Sequence, residues 1–167
     1  MKLLIVRHGE TEENKRHILQ GHLPGTLTGL GIAQAESLAS RLENMTFDIL
    51  LSSDLQRCLD TAEILNRHHG KEILATPLLR ERDWGSITGM VVDPLHPVVI
   101  PDDVESVEAM RQRARAFLDD VSATYPGKTV LAVSHGLFLR FLQAVHFSRA
   151  LNEIEKMDNC EMRELSL

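Results

Sequence analysis

Two apolar runs, Leu3-Leu4-Ile5-Val6 and Thr129-Val130-Leu131-Ala132-Val133, each stop abruptly at a turn that carries a histidine followed by glycine. Unbroken aliphatic and β-branched residues over that length fit strands buried on both faces, as in a parallel sheet covered by helices. The first run delivers Arg7-His8-Gly9 at its carboxyl end and the second Ser134-His135-Gly136, which is where open α/β sheets place their ligands. Glycine lets the backbone turn sharply or approach a neighbour closely, and a guanidinium beside an imidazole suits an anion better than a metal cation. Two such turns at one sheet edge make an anion site physically sensible.

The intervening chain alternates helix and strand signals. Glu12 to Gly29 is polar, with Gly21, Pro24, Gly25 and Gly29 opposing regular structure, and a loop of this length is usually functional. Thr28 is placed to cap a helix from about Gly29 to Met45, with Leu30, Ile32, Ala35, Leu38, Ala39 and Leu42 at helical spacing. Phe47 to Leu51 reads as a strand, and the Ser52-Ser53-Asp54 that follows offers N-caps to a helix ending near His68-His69-Gly70, with Arg57 in its first turns. Glu72 to Thr76 is a third strand. A helix begins at Asp103 or Ser106 and runs through Met110, Ala114, Phe117 and Val121, and Leu137 to His146 is helix-compatible. A last helical piece, Ser148 to Lys156, precedes a terminal strand, Cys160 to Leu165. The order predicts a three-layer α/β/α fold, a mostly parallel central sheet with helices on both faces. Prolines in Val91 to Pro101 oppose a continuous helix or central strand, so residues 86–103 are read as a short lid within one domain spanning 1–167.

At 167 residues the chain suits a single core, and its net charge of −6 disfavours non-specific binding to nucleic acid or anionic membranes. A bound phosphate must therefore be held by local basic groups. No apolar stretch approaches the ~20 residues of a membrane span and no signal-peptide pattern opens the sequence, so a cytoplasmic protein is expected. Cys58 and Cys160 lack metal-ligand spacing and read as packing thiols. Gly127-Lys128-Thr129 is not a nucleotide loop, because Ser122 occupies the first glycine position and a strand follows.

Four motifs complete the pattern: Arg7-His8-Gly9-Glu10-Thr11 followed by Asn14, Arg57 within Ser52 to Ala62, Glu81 in Leu79-Arg80-Glu81, and Ser134-His135-Gly136. Together, from Leu3 to about Leu142, they resemble the histidine phosphatase superfamily, also called the phosphoglycerate mutase-like family. The resemblance implies a phosphoglycerate mutase-like fold and a metal-independent phosphatase acting on a small-molecule phosphate monoester, with no cofactor. It implies that His8 is the nucleophile that becomes phosphohistidine, that Arg7, Arg57 and His135 surround the phosphoryl oxygens with Asn14 as a neutral donor, and that Glu81 is the general acid and then the base. The remaining histidines read as surface or loop residues. The chain departs from the family where Thr88-Gly89 replaces Glu-Gly, where Val104-Glu105-Ser106 replaces Gly-Glu-Ser, and where Pro24 or Gly25 replaces an acidic residue.

Asp83 to Met110 contains no lysine or arginine, which favours a hydrolase with a less charged leaving group over a mutase, whose substrate carries a second anion. Lys15, Arg16 or Arg82 would have to supply the charge a mutase needs. Other readings are a metal hydrolase with His8, His135 and Glu81 as ligands, disfavoured by the nearby arginines, and a non-catalytic phospho-ligand module. The residues do not fix the oligomeric state, and a homodimer is one option.

Overall fold

The computed structural model describes residues 1–93 and 95–167; Pro94, one of the prolines of the Val91 to Pro101 passage, lies outside the described residues. One sheet contains β1 (Lys2–Arg7), β2 (Ile49–Ser53), β3 (Ile73–Thr76), β4 (Thr129–Ser134) and β5 (Met162–Ser166) in the order β3-β2-β4-β1-β5. The first four are mutually parallel, while β5 is an antiparallel edge strand on β1. The helices are α1 (Glu12–Lys15), α2 (Gly29–Leu42), α3 (Gln56–Leu65), α4 (Val107–Thr124) and α5 (Gly136–His146).

Burial on both faces explains the unbroken apolar runs. Leu3, Ile5, Val130 and Ala132 join Met110, Phe117 and Phe138 of α4 and α5 in one core layer. Leu4, Val6, Leu131 and Val133 join Leu38 of α2 and Cys58 and Leu65 of α3 in the other. The β1–β4 register sets Arg7 opposite Ser134, which brings the two His-Gly turns to one sheet edge.

Several local expectations are corrected. Leu30 and Ile32, read as part of the buried stripe, are 57% and 41% exposed, because α2 instead buries Gly31, Ala35, Leu38, Ala39 and Leu42. The polar loop contains α1, closed by a capping box in which Thr11 and Asn14 exchange side-chain and backbone bonds. Ser53 and Asp54 do not cap α3, whose N-cap is Leu55. Asp54 is instead gripped by Arg80 through bonds of 2.7 and 2.6 Å. The last helical piece reduces to a 3-10 turn at Leu151–Glu153.

Residues 86–103 leave and return at a pinned base, where Ser86 N and Oγ donate to the Asp103 carboxylate at 2.8 and 3.0 Å. Beyond it, Leu19 N donates to Met90 O at 2.9 Å and Val92 N to His17 O at 2.8 Å, tying the segment to the 17–19 loop. Val91, Leu95 and Val99 are exposed. Among the described residues no helix is long and apolar enough to cross a membrane.

Gly9 owes its identity to a backbone contact. A Cβ on it would lie 2.5 Å from Gly31 O, and one on Gly31 would lie 2.1 Å from Glu10 O, so the turn after His8 rests directly on the first turn of α2. Gly9→Ala should lower unfolding stability by about 1–3 kcal/mol through this overpacking, measured as a reduced urea midpoint with unchanged m-value.

Candidate active site

His8 directly follows β1, and its N–H extends the ladder by donating to Ser134 O at 3.0 Å. The side chain is buried, with Nδ1 2.7 Å from the Gly9 carbonyl. A carbonyl only accepts, so Nδ1 carries the proton and Nε2 keeps the lone pair. Burial, reinforced by the Arg57 and Arg7 charges, holds the His8 pKa well below the ordinary imidazole value despite the opposing Gly9 bond. The ring is therefore neutral.

His8, Arg7, Asn14, Arg57 and Glu81 converge on one cavity of about 260 Å³. Arg7 donates from Nη1 to Met157 O at 2.6 Å, while its buried Nε has no partner among the described residues. Gly136 makes room for it, since a Cβ there would sit 3.1 Å from that Nε. Arg57 is held by the loop above it: Nη2 donates to Gly21 O at 2.9 Å and Nη1 to Leu23 O. Asn14 accepts from Thr11 N through Oδ1 at 3.2 Å, which leaves its Nδ2 as a donor on the cavity wall.

His135 is placed differently from the expectation that it surrounds a phosphoryl group. It is fully buried, is not among the residues that line the cavity, and stands behind His8 with ring centroids 5.2 Å apart. Its Nδ1 accepts from Arg57 Nε at 3.2 Å, so the remaining proton is on Nε2, which donates to Ser53 Oγ at 2.8 Å. Burial, followed by the Arg57 charge, pushes its pKa well below the imidazole value. His8, His135 and Glu81 do not form a metal-holding cluster among the described residues.

Glu81 binds the start of α5. Oε2 accepts from Leu137 N at 3.1 Å, and Oε1 accepts from Phe138 N at 3.0 Å and Arg82 N at 2.9 Å. A carboxylate has about four lone-pair sites, so three bonds leave one, on Oε2. The backbone carrying Glu81 is clamped by Arg113 of α4. Its Nη1 donates to Arg80 O at 2.6 Å and Leu78 O at 3.1 Å, and its fork meets Glu105 at 3.0 and 2.8 Å. Both side chains of the pair are only 16% exposed. Arg113→Ala strips the half-buried Glu105 carboxylate of its charge partner, leaving it only the Asp83 N–H at 3.1 Å, and should cost about 2–3 kcal/mol in a denaturant titration.

Sequence reasoning missed this clamp because the Leu78 and Arg80 carbonyls lie 35 and 33 residues from Arg113 in the chain. It also missed Trp84, Arg140, Lys156 and Met157, which line the cavity. Arg140 lies one helical turn beyond Gly136, and that spacing was the available signal. Lys156 lies in an irregular segment with no such signal.

A family model described as Histidine phosphatase superfamily (branch 1) matches residues 3–167. The chain is 33% identical over 141 residues to the uncharacterized phosphatase PhoE of Bacillus subtilis, covering 83% of this chain and 73% of that protein. The α-ribazole phosphatase of Shigella flexneri superposes with a TM-score of 0.90 at 26% identity, over 100% of this chain and 91% of that one. A mycobacterial glucosyl-3-phosphoglycerate phosphatase in complex with VO3 superposes with a TM-score of 0.89 at 27% identity, over 99% and 92%. With a sheet that sets His8 beside Arg7 and Arg57 and a family match running almost end to end, the chain belongs to the histidine phosphatase superfamily.

Proposed function

We propose that the chain hydrolyses a phosphate monoester through a phosphohistidine on His8. The observation that carries this reading is the His8 ring: neutral, its proton pinned to Gly9 O, its Nε2 without a partner among the described residues, on a cavity wall shared with two arginines. The Nε2 lone pair attacks phosphorus as the P–O bond breaks, and the departing oxygen takes a proton from Glu81. Gly9 O supports the positive charge that develops on the ring. Water then attacks phosphorus, giving its proton to Glu81 while the P–N bond breaks, and inorganic phosphate leaves with both residues restored.

Arg7 and Arg57 offer donors to the phosphoryl oxygens and Asn14 adds an uncharged one. His135 fixes Arg57 and backs His8; to touch the phosphoryl group itself, its Nε2–H must exchange Ser53 Oγ for the ligand. Every step uses the chain's own side chains and water. The 260 Å³ cavity falls below the roughly 300–1,000 Å³ of sites that enclose drug-sized ligands, which supports a small-molecule ester. Two free, buried thiols, Cys58 and Cys160, suit a reducing compartment, and a cytoplasmic location is part of the proposal.

Mutase-type phosphoryl transfer is the second reading, favoured by the cations Arg140 and Lys156 in the cavity. A mutase holds a second anion, and 3-phosphoglycerate mutase activity exceeding hydrolysis would put it first. The test of the covalent step is alkaline quenching of enzyme with a labelled phosphate ester. Label that is stable in alkali, labile in acid and absent from His8→Ala is expected, and label that persists in this variant refutes His8 as the nucleophile.

A further inference from the structure

We propose that Gln34 of α2 is a positioning residue for His8, acting through the single peptide group that joins Gly9 to Glu10. The proposal rests on the phosphatase reading for the step that loads positive charge onto the His8 ring.

Gly9 has no side chain to restrict its dihedral angles, so the direction of its carbonyl must be set from outside. In the peptide before it, His8 O accepts from Asn159 Nδ2 at 2.9 Å and Gly9 N donates to Thr61 Oγ1 at 3.1 Å. In the peptide after it, His8 Nδ1 donates to Gly9 O at 2.7 Å and Glu10 N donates to Gln34 Oε1 at 3.0 Å. Side chains from α2, α3 and the segment before β5 thus fix both peptide planes. Of the three, only Gln34 shares a plane with the carbonyl that holds the nucleophile's proton.

A trans peptide group is planar, and its N–H and C=O point in opposite directions. The two bonds on the Gly9–Glu10 peptide therefore run in series, from the His8 ring through the amide to Gln34. An acceptor on the Glu10 N–H shifts electron density toward Gly9 O, so each bond strengthens the other. As the P–Nε2 bond forms and the P–O bond breaks, the ring gains positive charge while its own proton stays on Nδ1. A more polarised Gly9 O stabilises that charge. Gln34 is not among the residues that line the cavity, so it reaches the reaction only through this peptide. Losing its acceptor leaves the rest of the turn docked, because Glu10 O still accepts from Thr28 N at 2.9 Å and Gly9 still rests on Gly31.

The test is rapid alkaline quenching of enzyme mixed with p-nitrophenyl phosphate labelled at phosphorus, which measures how fast His8 takes up the phosphoryl group; an unlabelled chase follows its loss. Gln34→Met keeps the length and helix propensity of the side chain but removes the acceptor. It should slow uptake about three- to tenfold, an effect the size of one hydrogen bond. Loss of the label should not slow, because the ring returns to neutrality as the P–N bond breaks. Affinity for inorganic phosphate, held by Arg7, Arg57 and Asn14, should be unchanged, and Gln34→Glu, which restores an acceptor, should recover uptake. In proton NMR the His8 Nδ1–H signal, assigned by its absence from His8→Ala, should move upfield in Gln34→Met and return in Gln34→Glu. Unchanged uptake, or an Nδ1–H signal that does not move, overturns the proposal. So does a joint loss of uptake, phosphate affinity and thermal stability that Gln34→Glu fails to rescue, which would leave Gln34 a purely structural contact. The NMR arm separates the two readings. A signal that moves in Gln34→Met, with no labelling or turnover by the wild type, supports the coupling and sinks the phosphatase reading, whereas a labelled, active wild type indifferent to Gln34→Met sinks the coupling alone.

Discussion

His8→Ala is expected to reduce kcat for p-nitrophenyl phosphate by on the order of 10⁴-fold or more, because a covalent route disappears when its nucleophile does. The structure gives the loss a specific origin. Arg7, Arg57 and Asn14 hold their positions through Met157 O, the 21–23 carbonyls and Thr11, not through His8, so the anion-binding wall survives the substitution. Phosphate should therefore still bind to the inactive variant. A variant that retains more than a few per cent of turnover, or that loses phosphate binding together with activity, speaks against His8 as the attacking group.

The same ring controls pH behaviour. Its lowered pKa keeps Nε2 unprotonated below pH 6.5, so kcat/KM should not begin its acid fall at the ordinary imidazole value. Stability responds in the opposite sense. Above pH 6.5 His8 and His135 are neutral in both folded and unfolded chains and contribute no pH dependence. Below 6.5 the unfolded chain binds protons that the buried rings refuse, so acidification favours unfolding by about 1.4 kcal/mol per pH unit for each histidine. His8→Ala should remove one of these two contributions, visible as a shallower fall of unfolding free energy between pH 6.5 and the lowered folded values.

What was legible in the sequence is what local pattern encodes. The runs at Leu3 and Thr129 announced strands buried on both faces, and because each ends at its His-Gly turn, their parallel pairing sufficed to put both turns at one edge. Arg57 and Glu81 were legible as members of separate short motifs. Their convergence with His8 on one cavity depends on the sheet order, which no single motif states. The reversal of β5 was likewise invisible, since five residues pair in either direction. Side-chain contacts across long separations escaped entirely: Asp54 reads as a helix cap until Arg80 is brought to it, and Arg113 reaches the Leu78 and Arg80 carbonyls across more than 30 residues of chain. His135 shows a different limit. Its position after β4 was predicted, but Ser53 and Arg57 occupy both ring nitrogens and turn it into a support behind the wall.

Glu81→Gln should separate the two halves of the proposed reaction. p-Nitrophenolate leaves without a proton, whereas an alkoxide does not, so loss of the acid should slow hydrolysis of an alkyl phosphate by about 10²–10⁴-fold. Transfer from p-nitrophenyl phosphate to His8 should remain fast, but the following attack by water lacks its base. The expected trace is therefore a burst of about one nitrophenolate per enzyme, then slow turnover, with phosphohistidine accumulating in the alkaline quench. The substitution also disturbs the start of α5. An amide NH2 cannot accept from Leu137 N or Phe138 N, so one of those bonds is lost at a cost of about 1–3 kcal/mol. That cost alone would depress the burst and the steady rate together, and alike for both esters. Equal losses on the aryl and alkyl substrates without a burst would reduce Glu81 to a cap of α5, whereas a burst followed by slow turnover would place its remaining Oε2 lone pair in the proton path.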